Sequence, residues 1–313
     1  MKLMKWTSAL GFLLVASQAW CWGAKGHRII AATGAQLALD GQEFWAANAD
    51  GLRQLTTVPD RVWKTPATKP GEAPNHWFEA DRYVSTSNIS DILDFPSAFA
   101  DASKKYGKEE VVKNGTAPWR IRQFYKMAVD AFRAGDHKSA LEYVGVMSHY
   151  VGDLSQPLHV SENYDGAMTG NPGIHKFFET DIITNEDEIG LLVKEEAQKL
   201  LGNKKFQGHF GGSLMDVILH EVGRALYQKD LVIENDLKHG RDKKGRQIQL
   251  KLAIARMADG AATFAFILGH VWQDAGIKLV ATPIAISDPA WVSPKFSKIT
   301  NRSEFIDDDC SLE

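Results

Sequence analysis

Pro157 splits a compact run of ligand-type side chains, with His149 and Asp153 ahead of it and His159 behind it in HYVGDLSQPLH, followed by His175 and Glu179 in HKFFE. A histidine and a carboxylate four residues apart lie on one helix face, so each such pair can close on one metal ion. Two pairs imply more than one metal.

Ala140, Val144, Met147 and Val151 recur at helical spacing, while His149 and Asp153 project from roughly the opposite side. Val146 and Tyr150 flank that side, so the helix is apolar around most of its circumference. The pattern predicts a buried helix whose two ligands face an internal cleft. Pro157 ends or bends it, which frees His159 from the face of Asp153 and lets it reach a different ion.

Further helices are predicted over residues 121–132 and 214–227 and along the stripe Leu250, Ile254, Met257, Ala261, Phe264 and Leu268, which reads as core packing. Strand patterns are few and short. Loops are expected over residues 65–75, rich in Pro and Lys, and 165–173, rich in Gly and Asn. Candidate ligands stand on both sides of each loop, so neither is a domain linker. At 313 residues and 44% hydrophobic, the chain can bury one large core. The expectation is an all-α, single-domain helical bundle over residues 22–313, with a less ordered C-terminal tail.

The first 21 residues read as an export signal: Lys2 and Lys5, apolar residues 9–16, then small residues before Trp22. Eight apolar residues are too few to span a bilayer, and no transmembrane segment is expected in the mature chain. Gln18 occupies the position where a lipoprotein signal carries leucine, which argues against a lipid anchor. Removing the signal also removes Cys21, leaves Cys310 alone and rules out an intramolecular disulfide. Asn88, Asn114 and Asn301 stand in sequons that matter only in a eukaryotic host.

Other chemistries lack their residues. His220 and Glu221 begin an HE pair, but Arg224 stands where a zinc protease would need its second histidine. No phosphate loop, nucleophile-elbow serine or dinucleotide fingerprint occurs. A net charge of -3 gives no basic footprint for duplex nucleic acid, although a single strand held mainly by metals would not need one. His137, His209, His220, His239 and His270 read as surface or core histidines.

Two upstream clusters extend the ligand set. WGAKGH sets Trp22 five residues before His27, and a free terminal amine can chelate a metal together with its own carbonyl oxygen. VPDRVW supplies Asp60, and NHWFEADRY supplies His76, with Trp77, Phe78 and Glu79 beside it as candidate substrate contacts.

Taken together, WGxxGH, a carboxylate and a histidine in the first third, HYxGDxxQPLH and HxxxE resemble the zinc-dependent phospholipase C and single-strand nuclease superfamily. That resemblance implies an all-helical fold around a central cleft with three zinc ions. Carried onto this sequence, it implies one zinc on Asp60, His76, His149 and Asp153, and a second on Trp22, His27 and a bridging Asp153. A third would take His159, His175 and Glu179. It also implies cleavage after Cys21, since Trp22 and not Trp20 has the spacing to His27 found in the nuclease branch.

The implied activity is phosphodiester hydrolysis, with Asp153 joining two metals and Asp60 orienting or deprotonating the attacking water or serving as a ligand only. Trp63 stands where the nuclease branch has an arginine, and Arg61 and Lys64 do not replace it. Ser155 stands where many nucleases carry a histidine, and Glu179 where they carry aspartate. These departures favour phospholipid head groups over single-stranded nucleic acid as substrate. Peripheral membrane contact, a monomer, and a secreted or periplasmic location complete the expectation. A secreted zinc-binding protein without turnover is the alternative from another class.

Overall fold

The computed structural model describes residues 22–64, 69–85, 89–279 and 281–286. Among them there are helices and turns and no strand, so the all-α expectation holds. The export signal, Cys310, Asn88, Asn301 and most of the C-terminal tail lie outside the described residues.

The ligand-bearing helix runs His137–Ser155 and is buried from Ala140 onward. It forms an antiparallel hairpin with helix Ala117–Arg133. The link is short because Gly135 takes a positive φ of 74°, and Asp136 then caps the second helix by accepting the Ser139 N–H. The helix stops at Ser155, and Gln156 caps a short helical turn, Pro157–Val160, that carries His159 in a new direction.

Close approach onto this helix depends on two glycines. A Cβ on Gly145 would fall 2.4 Å from Leu55 Cβ, so helix Ala49–Leu55 packs directly on the backbone there. At Gly152 a Cβ would come within 2.8 Å of His27 Nδ1, on the N-terminal helix Ala24–Leu37. The glycine of HYVGD is therefore where the His27 ring reaches the ligand helix.

The longest helix, Lys243–Ala275, starts at an Asp242 cap and ends at left-handed Gly276. It lies against the N-terminal helix, helix Glu186–Leu201, helix Leu214–His239 and the hairpin. Met257, Ala261, Phe264 and Leu268 of the predicted stripe are fully buried. The helix is long and apolar enough to cross a membrane, but 78% of its most apolar window is already buried inside the protein. Burial of that kind satisfies its apolar face by tertiary packing.

Residues 69–75 depart from the loop expectation, while 65–68 lie outside the described residues. A helical turn, Lys69–Glu72, runs into a tight helical turn, Ala73–His76, started by Pro74. Proline is compatible with a first helical turn, where no backbone N–H is needed. Residues 165–173 stay mostly irregular around the short turn Ala167–Thr169, held by positive φ at Gly166, Gly170 and Gly173.

Candidate metal centre

Three separate elements bring Asp60, His76, His149 and Asp153 to one point. Asp60 sits in a π-helical turn, Pro59–Trp63, a local irregularity that recurs at functional sites. The His149 Nε2 and His76 Nδ1 atoms are 2.9 Å apart. Asp153 Oδ2 lies 3.0 Å from His76 Nδ1 and 3.4 Å from His149 Nε2. Asp60 Oδ1 lies 3.7 Å from each of the same two nitrogens. Donors on a tetrahedral zinc, each about 2.0–2.1 Å from the ion, stand about 3.3 Å from one another. The observed separations bracket that edge.

Asp153 turns its two oxygens toward different histidines. Oδ2 faces His76 and His149, while Oδ1 stands 3.4 Å from His27 Nε2. Neither nitrogen of buried His27 makes a hydrogen bond, which is costly unless another partner is supplied. The His27 ring stacks on His149 at 3.9 Å, and donor atoms of His27, Asp60 and His149 all lie within 4.8 Å of one another.

His159, His175 and Glu179 form another such group, also within 4.8 Å. Glu179 Oε2 is 3.0 Å from His175 Nε2 and 3.7 Å from His159 Nε2, yet neither oxygen of this buried carboxylate is in a well-directed hydrogen bond. Glu179 lies in a second π-helical turn, Phe177–Asp181.

Backbone carbonyls set the histidine tautomers. His149 Nδ1–H donates to Thr56 O at 2.7 Å, His159 Nδ1–H to His76 O at 2.6 Å, and His175 Nδ1–H to Tyr164 O at 2.9 Å. Each Nε2 lone pair is thereby left facing the carboxylates, the arrangement of a metal-ligating imidazole with its outer hydrogen bond in place. Burial, with neighbouring histidines and Lys64, holds His27, His76 and His149 well below the ordinary histidine range. Burial also lowers His159; His175 is raised because Glu179 outweighs its burial. Burial opposes the ionisation of Asp60, but the charge of Lys64, whose ammonium is 2.6 Å away, brings it down to about 2. The directions at His27, His76, His149 and His159 favour neutral imidazoles and that at Asp60 an ionised carboxylate, the states a divalent cation needs, while His175 goes the other way.

Glu72 was not legible in the sequence. It is fully buried and accepts hydrogen bonds from Tyr150 at 2.5 Å, Arg120 at 3.0 Å and Asn75 at 3.1 Å. Its Oε1 is 3.4 Å from His76 Nε2, the nitrogen on the far side of the ring from Asp153. Trp63, at the position of the nuclease arginine, is buried and stacks on Phe124 at 5.9 Å, while Arg61 is exposed.

Trp22 is fully buried, with its indole N–H donated to Ser155 Oγ at 3.0 Å. The next residue, Gly23, donates its N–H to Glu179 O, so this segment is tied to both ligand regions. Trp77 and Glu79 line a cavity of about 190 Å³ together with Leu158, Tyr164, His159 and His175. Phe78 does not join them: it is 0% exposed and packs among Tyr83, Phe95 and Trp119, which corrects its expected role as a substrate contact. The chain alternates direction after His76, so only the residues on either side of Phe78 face the cavity. Asn114, a sequon asparagine, is also buried.

No protein-family model matches the chain. A probable serine protease of Bradyrhizobium tropiciagri is 26% identical over a match covering 47% of this chain. The match spans only about a quarter of that relative's length, 26%. Two solved structures are similar over 83% of this chain: an alpha toxin from Clostridium absonum, at 15% identity and TM-score 0.47 over 68% of that protein, and an alpha-toxin of Clostridium perfringens from an avian strain, at 18% and 0.49 over 67%.

Proposed function

We propose that this chain is an exported zinc-dependent phosphodiesterase, and that its substrate is a phospholipid cleaved to diacylglycerol and a phosphorylated head group. The observation that carries the reading is Asp153, whose two oxygens face separate histidine groups while its neighbours stand at tetrahedral-zinc separations. Asp60, His76, His149 and Asp153 would hold one zinc, and Trp22, His27 and Asp153 a second. His159, His175 and Glu179 would hold the third. The all-nitrogen and oxygen donor set suits catalytic zinc more than a thiolate structural site. Bound zinc would lower the pKa of its water to about 7 and neutralise phosphate oxygens.

The chain's own residues divide the remaining work. Asp153 fixes the spacing of two positions, and the carbonyls of Thr56, His76 and Tyr164 fix the ring orientations. Asp60, paired with Lys64 and held at about 2, is a poor proton acceptor. It therefore serves as ligand and orienting group more than as a base.

The head group would enter the cavity beside His159 and His175. Trp77 and Tyr164 offer aromatic surfaces there, and Glu79 a carboxylate, a combination that suits a cationic alkylammonium group on the phosphodiester. Burial raises Glu79 and Arg82 counteracts it in part. The serine-protease name of the Bradyrhizobium relative gains no support at this site. Ser155 donates its hydroxyl to Gly152 O and accepts from Trp22, and no histidine among the described residues is bonded to it.

The reading includes export, because a free amine at Trp22 requires removal of the first 21 residues. We infer a monomer that meets lipid at its surface. The deciding experiment is a paired assay: mixed phospholipid–detergent micelles and single-stranded DNA or RNA, each with and without chelator. Chelator-sensitive release of a phosphorylated head group, lost in Asp153→Asn, is expected. Digestion of nucleic acid with no head-group release moves the assignment to a nuclease. Bound zinc with neither activity makes this a zinc-binding protein.

A further inference from the structure

Away from the metal centre, a cavity of about 640 Å³ opens beside helix Leu214–His239, a size usual for small-molecule sites. Its lining includes Arg224, Arg256 and Asp259, and both arginines also reach buried Glu221. Arg224 bonds Asp259 and Glu221, and Arg256 bonds the same two carboxylates, so both guanidiniums already have partners, while burial and the Asp259 charge push Glu221 up to about 7. A ligand entering the cavity meets what surrounds this quartet.

What surrounds it is basic and donor-rich. Arg224 Nη1–H donates to His209 Nδ1 at 3.2 Å, which leaves the His209 proton on Nε2 as a hydrogen-bond donor. His220 stacks on His209 with ring centroids 4.7 Å apart and planes within 16°. Lys205 also lines the cavity. Burial and the Arg224 charge lower both imidazoles, with Lys205 adding to the effect on His209; Asp259 and Asp216 counteract only in part. The lining also has an apolar part, Leu93, Leu200 and Phe206, whose ring carries the Arg224 guanidinium at 4.8 Å and lies 6.1 Å from the His209 ring.

Imidazole donors and the Lys205 ammonium beside apolar side chains in one cavity are a fit for an anion attached to an apolar body. We propose that this cavity is a second binding site, separate from the metal centre, for a small aryl or acyl phosphate. The phosphate takes Lys205, His209 and His220, and the apolar body lies on Leu93, Leu200 and Phe206. The proposal does not depend on the reaction at the metal centre.

Phenyl phosphate, inorganic phosphate and phenol are the probes, titrated into the full metal-loaded mature chain while the histidine ring resonances are followed by NMR. Phenyl phosphate is expected to shift His209 and His220 and to raise their pKa values. Inorganic phosphate is expected to bind more weakly at the same rings, and phenol not to move them. Lys205→Ala and Leu93→Asp, both toward the surface, are each expected to weaken phenyl phosphate about tenfold at these rings, a loss typical of one charge-assisted contact or one apolar contact. Zinc content and phosphodiesterase activity should be unchanged in both. Absence of shifts at His209 and His220 overturns the proposal. So does equal affinity for inorganic phosphate, or shifts that Lys205→Ala leaves intact, since either means that the polar and apolar parts of the lining do not act together.

Discussion

Trp22 and Ser155 are joined by a buried hydrogen bond, indole N–H to hydroxyl oxygen, across 3.0 Å. Ser155 ends the ligand helix, and its own carbonyl receives Arg256 Nε–H at 2.9 Å. The serine is fitted against Gly260, where a Cβ would come within 2.7 Å of its Oγ. A histidine at 155 would have to enter that packed contact, so the small residue goes with this partner.

Ser155→Ala removes the acceptor and leaves a buried indole N–H without a partner. Such an orphaned donor costs about 1–3 kcal/mol. The expected outcome is a loss of that order in urea unfolding, with a further loss of zinc from the site nearest His27. Unchanged stability and metal content would show that the Trp22 segment is held by its packing alone.

Glu72→Gln tests the support behind His76. The change leaves Arg120, buried and stacked at 4.6 Å over Phe124, without its charged partner. Breaking a buried pair from one side costs about 3–5 kcal/mol. Loss of a carboxylate behind a ligating histidine weakens metal binding about 10–100-fold. Zinc affinity measured by competition with a chelator checks the second figure independently of activity. An affinity equal to that of the unsubstituted protein would separate Glu72 from His76 and leave it a folding role only.

Glu72 also marks where sequence reading stops. The ligand helix was legible because Ala140, Val144, Met147 and Val151 repeat at one period and because HYVGD and HKFFE place their own ligands. Glu72 belongs to no period, and its partners Arg120 and Tyr150 lie 48 and 78 residues away in the chain. Phe78 looked like its neighbours Trp77 and Glu79, and only the path of the backbone separates its buried ring from the cavity they line. His209 and His220 read as incidental for the same reason: their stacking depends on how two elements pack. Glu221, set aside with a failed protease pattern, turned out to hold Arg224 and Arg256 in the core.

Acid should destabilise the metal-free protein. His27, His76, His149 and His159 are lowered from 6.5 in the fold, so the unfolded chain takes up protons first as pH falls below that value. Stability is full above the unfolded value and is lost below it. His175 is raised and contributes the opposite sign, one group against four. Asp60, with its ordinary value of 3.8 and a folded value of about 2, extends the loss at lower pH. Melting of chelated protein should therefore fall steadily between about pH 7 and pH 5. A flat profile across that window would mean that the buried histidines open to solvent without metal.

The last prediction concerns the amine of Trp22, which exists only if the chain is cut before it. A version carrying one extra Met ahead of Trp22 keeps every side chain and moves the free amine away. That version should bind one zinc fewer and lose most of its activity, about a hundredfold or more, because the position opposite Asp153 Oδ1 is left with His27 as its main remaining ligand. Its melting temperature should fall as well, since a metal bound only by the folded state adds its binding energy to stability. The mature chain cut before Trp22 supplies the reference, and metal content is read by atomic emission on both. Full metal content in the extended version would remove Trp22 from the ligand set, while the indole bond to Ser155 would keep it as a structural anchor.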